Sequence, residues 1–432
     1  MTKNIALIVL DTVRKDIWDE TATQLKSVAD VEYHRAYAPS SWSTPSHASM
    51  FTGKLPHQHG SHSLNPSFQN LAGKAVWDDL PGRSFSMSTN GALSGEFHFG
   101  DLFDEFEFFA GNVEMTHNTP TTIDYIGDPL SYIREAMAQG ELWTSIVNGL
   151  YLKWNRFSRE KPLPEIGDFG ERHALETVDN HMNGDVSSFF VNLIGAHGPF
   201  SSKTAIDSDV PISWHSDVIE TMGERPLDRH LKNYRKLYQD SIRYVDSLLS
   251  EFIEDHPETI FIITADHGEE LWYDHERHLG HVDFNSSLLH IPLIIANIDD
   301  SFETQDLVSL RDMPKLMEKL VDDGEVPDIT REQVPAERIG MKFYEGNDPY
   351  WTRAVRTVYT EKGRWEWDEL GGEYFYTVDK SRDCEKTERS IPDDVRSHFD
   401  VPLDEYLRDF EEKSVDVTQT TEERLEDLGY KV

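Results

Sequence analysis

The chain has 432 residues and carries 79 acidic against 41 basic side chains, a formal net charge of −38. That length buries a large core and fits one big α/β domain with an added subdomain, or two domains, while the field of so many acids makes nucleic acid and anionic membranes poor partners. The acids are dispersed along the chain and form no single tail, the pattern expected of a halophilic protein whose self-repulsion is screened by salt, the alternative being an ordinary acidic cytosolic protein.

In chain order, the first element is an apolar run at residues 5–10 that ends in Asp11. It reads as a central parallel strand buried on both faces. No basic segment or long apolar run precedes it, which argues against a signal peptide. No stretch approaches 18 uncharged apolar residues, so no membrane span is expected and the expected location is cytoplasmic. Next comes Ser43-Thr44-Pro45. Proline suits the first turn of a helix, which places Ser43 or Thr44 at the N-cap of a helix running to Phe51. Residues 111–167 have weak periodicity, and no element is assigned there. Residues 170–182 read as a short helix, 188–194 as a strand leading to His197, and 231–253 as an amphipathic helix with apolar residues three and four apart. Strands follow at 259–264, ending before Asp266-His267-Gly268-Glu269, and at 291–296. This alternation implies an α/β fold with a mostly parallel sheet flanked by helices. Residues 353–380 alternate apolar and polar side chains between glycine turns, the pattern of an antiparallel meander covered on one face. An acidic helix is expected over 401–428. The implied division is a catalytic domain at 1–340 and, at 341–432, an antiparallel-sheet subdomain with a terminal helix. Cys384, the lone cysteine, excludes intramolecular disulfides and cysteine-rich zinc sites. Nothing in the sequence reports the oligomeric state.

Several of these residues carry chemistry. A carboxylate at a strand terminus, such as Asp11, is an apt ligand for a hard cation, although acids also sit in surface turns. Asp266 and His267 are adjacent after a buried strand and can both turn toward one cation where Gly268 permits close approach; the alternative is a plain ion pair. Ser43 at a helix start lies where dipole and free N–H groups favour anionic charge; simple capping is the plainer role. A hydroxyl beside a divalent ion can ionise and attack. His197, His278 and His281 are imidazoles that could protonate a leaving group or hold an anion. Lys54 could neutralise the substrate or merely face solvent. His57, His59 and His62 cluster in a polar loop and read as bystanders. Together the residues point to a metal-assisted hydrolase acting on a tetrahedral anion ester.

The ordered set also resembles the sulfatase branch of the alkaline phosphatase superfamily, in its haloarchaeal-type form. The resemblance rests on Leu10-Asp11-Thr12, on Ser43-Thr44-Pro45-Ser46 leading to Thr52-Gly53-Lys54, on Gly100-Asp101-Leu102-Phe103-Asp104, on His197-Gly198-Pro199, on Asp266-His267-Gly268-Glu269 and on His290-Ile291-Pro292, and it runs from about residue 4 to about residue 387. It implies an alkaline-phosphatase-like fold and a divalent metal ion (Ca, Mg, Mn or Zn) held by Asp11, Asp266, His267 and Ser43. Ser43 would be the nucleophile, His197 would stand near the leaving group, Lys54 would flank the nucleophile helix, and His281 would take the place of an anion-holding lysine. Sulfatases of the formylglycine type have Cys or Ser, then Pro two later and Arg four later; here the last position is His47, so Ser43 would act as a plain alkoxide. Thr12 replaces a frequent second acid. His267 stands where calcium sulfatases often have Asn, which tilts the ion toward manganese or zinc. The resemblance implies a metal-dependent sulfuric ester hydrolase; the alternatives are a phosphomonoester or phosphodiester hydrolase or phosphotransferase, and a non-catalytic protein on the same fold. The expected partner is a small anionic ester, a sulfated sugar being one form, with Trp143, Trp154 and Trp214 as pocket or core residues.

Overall fold

The computed structural model describes residues 4–71, 74–111, 133–134, 136–138, 140, 142–159, 166–198, 200, 204, 210, 228–271, 284–340 and 349–409. Its scaffold is a nine-stranded sheet built from β1 (Asn4–Leu10), β2 (Val31–Tyr37), β3 (Arg83–Ser88), β4 (Glu105–Phe108), β5 (Val186–Leu193), β6 (Thr259–Ala265), β7 (His290–Ala296), β8 (Phe302–Ser309) and β9 (Thr330–Arg331). The order across the sheet is β4-β3-β5-β1-β6-β7-β2-β8-β9. The run from β4 to β6 is parallel throughout. β7 is antiparallel to both neighbours, β2 and β8 pair in parallel, and β9 closes the edge antiparallel. The apolar runs 5–10, 188–194, 259–264 and 291–296 thus all become strands. Residues 5–10 and 259–265 are buried from end to end, because strands covered by helices on both faces alternate nothing.

Register decides where the chemistry falls. Leu10 lies level with Leu193 on one side and with Ala265 on the other. The residues that leave these strands, Asp11 and Asp266, therefore emerge side by side at the carboxyl edge, roughly one strand spacing of about 4.8 Å apart. The helix Asp228–Asp255 packs its Leu231, Leu237, Tyr238, Ile242, Val245 and Leu249 face inward, as the spacing of 231–253 predicts, and the helix Glu171–Met182 matches the prediction for 170–182.

The meander is larger than its sequence pattern indicates. Five antiparallel strands, β10 (Gln333–Arg338), β11 (Val355–Thr360), β12 (Gly363–Asp368), β13 (Glu373–Asp379) and β14 (Arg382–Glu388), form a second sheet in sequence order. β10 lies upstream of residue 341. It carries Pro335 and a Glu-Arg pair instead of a clean alternation. Those charges are buried partners: Arg356 Nε donates to Glu337 at 2.6 Å, Arg353 Nε to Asp368 at 2.8 Å and Arg364 Nε to Asp383 at 2.8 Å. His57 enters the same network, its two ring nitrogens 2.8 Å from Glu337 and 2.6 Å from Asp400. Burial opposes its charge, but those two carboxylates raise the imidazole above its ordinary range. The loop with His57, His59 and His62 is thus a buried strut between the sheets. A helix at Leu403–Asp409 stands at the start of the predicted terminal helix; the rest of 401–428 lies outside the described residues.

Under the catalytic edge, Phe190 of β5 stacks within a ring cluster, 5.1 Å from Phe51, 5.5 Å from Phe99, 5.8 Å from Phe103 and 5.9 Å from Trp77 between centroids. Its truncation in Phe190→Ala is expected to cost about 3–5 kcal/mol. Urea unfolding at constant potassium chloride should show a lower midpoint with an unchanged slope; an unshifted midpoint would count against this packing.

Candidate active site

Chain direction changes sharply after Asp11. Thr12 adopts a left-handed φ of 62°, a conformation a β-branched residue holds only at a cost of order 1–3 kcal/mol. Its surroundings hold it there. Thr12 N donates to Asp266 Oδ1 at 3.3 Å, Thr12 Oγ1 donates to the Ala196 carbonyl at 2.9 Å, and Tyr238 Oη donates to the Thr12 carbonyl at 2.6 Å while accepting from Arg14 N at 2.9 Å. The turn after Asp266 is equally constrained, since a Cβ on Gly268 would sit 2.0 Å from the Ser287 carbonyl oxygen.

Ser43 opens the helix Ser43–Thr52, but the N-cap position belongs to Trp42, extended at φ −158° and ψ 165°. This corrects the expectation of Ser43 or Thr44 at the cap: the Pro45 signal fits more than one position of a first turn, and the helix starts one residue earlier. The Ser43 hydroxyl is therefore spared from capping. It lies 3.4 Å from Asp11 Oδ2 and 3.5 Å from His267 Nε2, and accepts from Asn90 Nδ2 at 3.2 Å. Asn90 Nδ2 also donates closely to Asp11 Oδ2. Ser46 Oγ pins the helix to the Asp266 carbonyl at 2.6 Å.

Asp11, Asp266 and His267 are buried and offer ligand atoms that all lie within 4.8 Å of one another. Asp11 Oδ1 and Asp266 Oδ2 are buried with no hydrogen-bond partner among the described residues. Burial first, and then the Asp266 carboxylate, push the Asp11 carboxyl well above its ordinary range, while Asn90, Ser43 and Asn192 pull the other way. His267 Nδ1 donates to the Gly268 carbonyl at 2.9 Å, which leaves Nε2 with its lone pair toward the carboxylates, the second-shell arrangement usual for a ligating imidazole. Two orphaned carboxylate oxygens and an oriented imidazole nitrogen fit a divalent cation, and the mixed oxygen–nitrogen set suits manganese or zinc better than calcium.

The structure brings Asp11, Ser43, Asp266 and His267 together, and His197 sits close by in the turn after β5. Its Nδ1 donates to the Gly198 carbonyl at 2.5 Å, and burial pushes its pKa down to about 4. The neutral ring therefore presents Nε2 as an acceptor and must first take up a proton to act as an acid. Lys54 is not brought to the site. It is exposed just past Gly53, at the far end of the ten-residue helix that Ser43 begins, about 15 Å away along the axis. His278 and His281 lie outside the described residues. His47 packs in a ring box beside the site, its centroid 5.6 Å from that of Phe190 and 6.0 Å from that of Phe51, with Nδ1 donating to the Ser43 carbonyl at 2.8 Å and lying 3.7 Å from Asp266 Oδ2. Asn90 and Asn192 are site residues that sequence reasoning misses. The alternation Ser84-Phe85-Ser86-Met87-Ser88 before Asn90-Gly91 is a readable strand-and-turn signal for the first.

Residues 173–311 match the family model described as Sulfatase, a span that takes in β5, the long helix, β6 with Asp266 and His267, and β7. Among solved structures, the phosphonate monoester hydrolase of Silicibacter pomeroyi is 14% identical, with a TM-score of 0.56 over 88% of this chain and 90% of that one. The phosphonate monoester hydrolase of Agrobacterium radiobacter is 13% identical, with a TM-score of 0.59 over 87% and 89%. A protein solved in complex with its substrate D-glucosamine-2-N,6-O-disulfate is 11% identical, with a TM-score of 0.56 over 89% and 93%. No curated protein matches the sequence. The chain shares the fold of these solved structures. The match to the sulfatase family model is confined to residues 173–311, and the likeness to the solved structures is one of fold.

Two outcomes follow from the buried charges. Asp11→Asn removes one of two facing carboxylates, so in chelator the variant should melt above the wild type, whereas added manganese should raise the melting temperature of the wild type only. Equal shifts in both would refute the ligand assignment. Glu171, buried beneath the His197 turn and accepting from Phe169 N at 2.9 Å, is raised to about 8 by burial and then by Asp168. Its protonated carboxyl stabilises the fold fully below the ordinary value near 4.5, and that contribution is lost as pH rises through about 8. In urea titrations from pH 5 to 8, wild-type stability should fall relative to Glu171→Gln; parallel profiles would exclude this titration.

Proposed function

We propose that the protein is a metal-dependent sulfuric ester hydrolase with Ser43 as its nucleophile. The observation that carries this reading is the Ser43 hydroxyl, uncapped at a helix start and within 3.5 Å of both Asp11 and His267. A divalent ion held by Asp11, Asp266 and His267, with Ser43 beside it, would supply Lewis-acid charge and favour the serine alkoxide. The chain's own residues do the rest. Asn90 Nδ2 holds Ser43 Oγ in place, and the helix N-terminus stabilises negative charge at that point. Ser43 Oγ passes its proton to the neutral His197 and bonds to sulfur as the ester oxygen departs; His197 gives that proton to the leaving alcohol, and water then attacks the sulfated serine, releasing sulfate and a proton and restoring the Ser43 hydroxyl. The substrate is a small anionic ester, with a sulfated sugar as the favoured form. By its resemblance to the family, His281 is the expected anion-holding residue.

One observation favours a second reading, a phosphate or phosphonate ester as substrate. The ligand set includes the imidazole of His267, and His47 is a buried imidazole packed among rings instead of a cation beside Ser43. Side-by-side hydrolysis of 4-nitrophenyl sulfate and 4-nitrophenyl phosphate, at high potassium chloride with manganese, zinc, calcium or magnesium added singly, separates the two. Sulfate turnover is expected, falling about a thousandfold or more in Ser43→Ala. Turnover of phosphate alone would move the protein to the second reading, and full activity in Ser43→Ala would remove the serine from the chemistry.

A further inference from the structure

The helix Leu142–Arg159 is built inside out. Its inward positions are polar: Ser145, Asn148, Asn155 and Ser158 are each at most 2% exposed. Its large apolar residues face outward, with Trp143 75%, Ile146 37%, Leu150 63%, Trp154 38% and Phe157 49% exposed. They recur at intervals of three and four and so form one stripe, on the side that a helix packed only onto its own protein gives to polar residues. Of the eleven exposed large hydrophobic residues among those described, nine lie between Ile133 and Ile166, so this is a patch and not scatter. Charge supplies a second, independent observation. The chain carries 79 acids in 432 residues, yet this helix contains none; its charged residues are Lys153, Arg156 and Arg159.

A stripe of Trp, Phe and Leu on a helix whose only charges are basic is the composition of a helix that lies in the headgroup plane of an anionic bilayer. We propose that the helix Leu142–Arg159 docks the protein onto an anionic lipid surface. It lies on the surface and does not cross it: no described helix is long and apolar enough to span a membrane. The net charge of −38 does not forbid this, because the Debye length is about 3 Å in 1 M salt: acids away from the contact are then screened, while basic side chains that touch the headgroups and the exposed apolar stripe that enters the bilayer still act. The helix is also tied to the catalytic edge. Tyr151 Oη donates to the Gly111 carbonyl at 2.9 Å, Gly111 packs against Gly170, and Gly170 packs against Thr89, the neighbour of Asn90. Docking therefore holds the Ser43 site near the surface.

The test is co-sedimentation of the full chain with vesicles in 1 M potassium chloride, using phosphatidylcholine alone and phosphatidylcholine with phosphatidylglycerol. The wild type should pellet with the mixed vesicles, and binding should drop about tenfold or more in the double variant Trp143→Glu, Leu150→Glu. Both side chains are exposed, so thermal unfolding should be unchanged; Lys153→Glu, which leaves the apolar stripe intact, should weaken binding to mixed vesicles only and stands in if the double variant does not fold. Failure of the wild type to pellet, or equal pelleting of wild type and variants, overturns the proposal. So does a wild-type dimer, seen by light scattering, that the double variant dissociates without any vesicle binding, which would assign the stripe to a second copy of the chain. Hydrolysis of soluble nitrophenyl esters by the double variant should match the wild type, separating this outcome from failure of the proposed activity.

Discussion

Everything at the catalytic edge depends on two carboxylates forced to face each other out of water. β1 lies between β5 and β6, and the three strands end level. Asp11 and Asp266 then emerge as fully buried neighbours, and an isolated buried carboxylate pair is unfavourable unless something positive joins it. The surrounding residues are organised around that demand. Asn90 donates to one carboxylate, Thr12 N to the other, and the His267 ring is turned by a backbone carbonyl so that Nε2 faces them. Ser43 completes the ring of donors only because Trp42 relieves it of the capping role.

Much of this was legible in the sequence because the central strands announce themselves. Runs such as residues 5–10 and 260–263 are apolar throughout, and an acid follows each within three residues, Asp11 directly and Asp266 after Thr264-Ala265, so strand and buried position could be read from a few letters. Other strands hide. β2 reads Val-Glu-Tyr-His-Arg-Ala-Tyr and β3 reads Arg-Ser-Phe-Ser-Met-Ser; polar positions such as Glu32, His34 and Ser84 meet Lys15, Glu303 and Asp104, partners that a linear pattern does not contain. Asn192 was beyond reach for a different reason. It is one polar residue inside an apolar strand, and only register tells which of its neighbours it meets. Lys54 failed through helix geometry: eleven positions along the chain from Ser43 is close in sequence and distant in space when a helix intervenes.

The charges of the second sheet follow the same logic in reverse. Arg353, Arg356 and Arg364 are buried, each against a carboxylate, so this sheet places ion pairs where the large sheet places aliphatic side chains. Pairs of this kind contribute little net stability compared with apolar packing, yet losing one partner strands the other. They therefore act chiefly as registration marks, fixing β10, β11 and β12 relative to one another and, through His57 and Glu337, fixing the loop that follows the Ser43 helix.

The left-handed turn at Thr12 carries a consequence for how the chain is made. The tyrosine hydroxyl that holds this turn comes from Tyr238, and the opposing carboxylate from Asp266. Both lie more than two hundred residues downstream. As the polypeptide leaves the ribosome, its first strand and the Ser43 helix exist long before either partner does. The strained geometry has nothing to sustain it during that interval, and an emerging N-terminal half offers a cation one carboxylate instead of a pocket. Assembly of the site is thus a late event of synthesis, complete only once the long helix and sixth strand have been added.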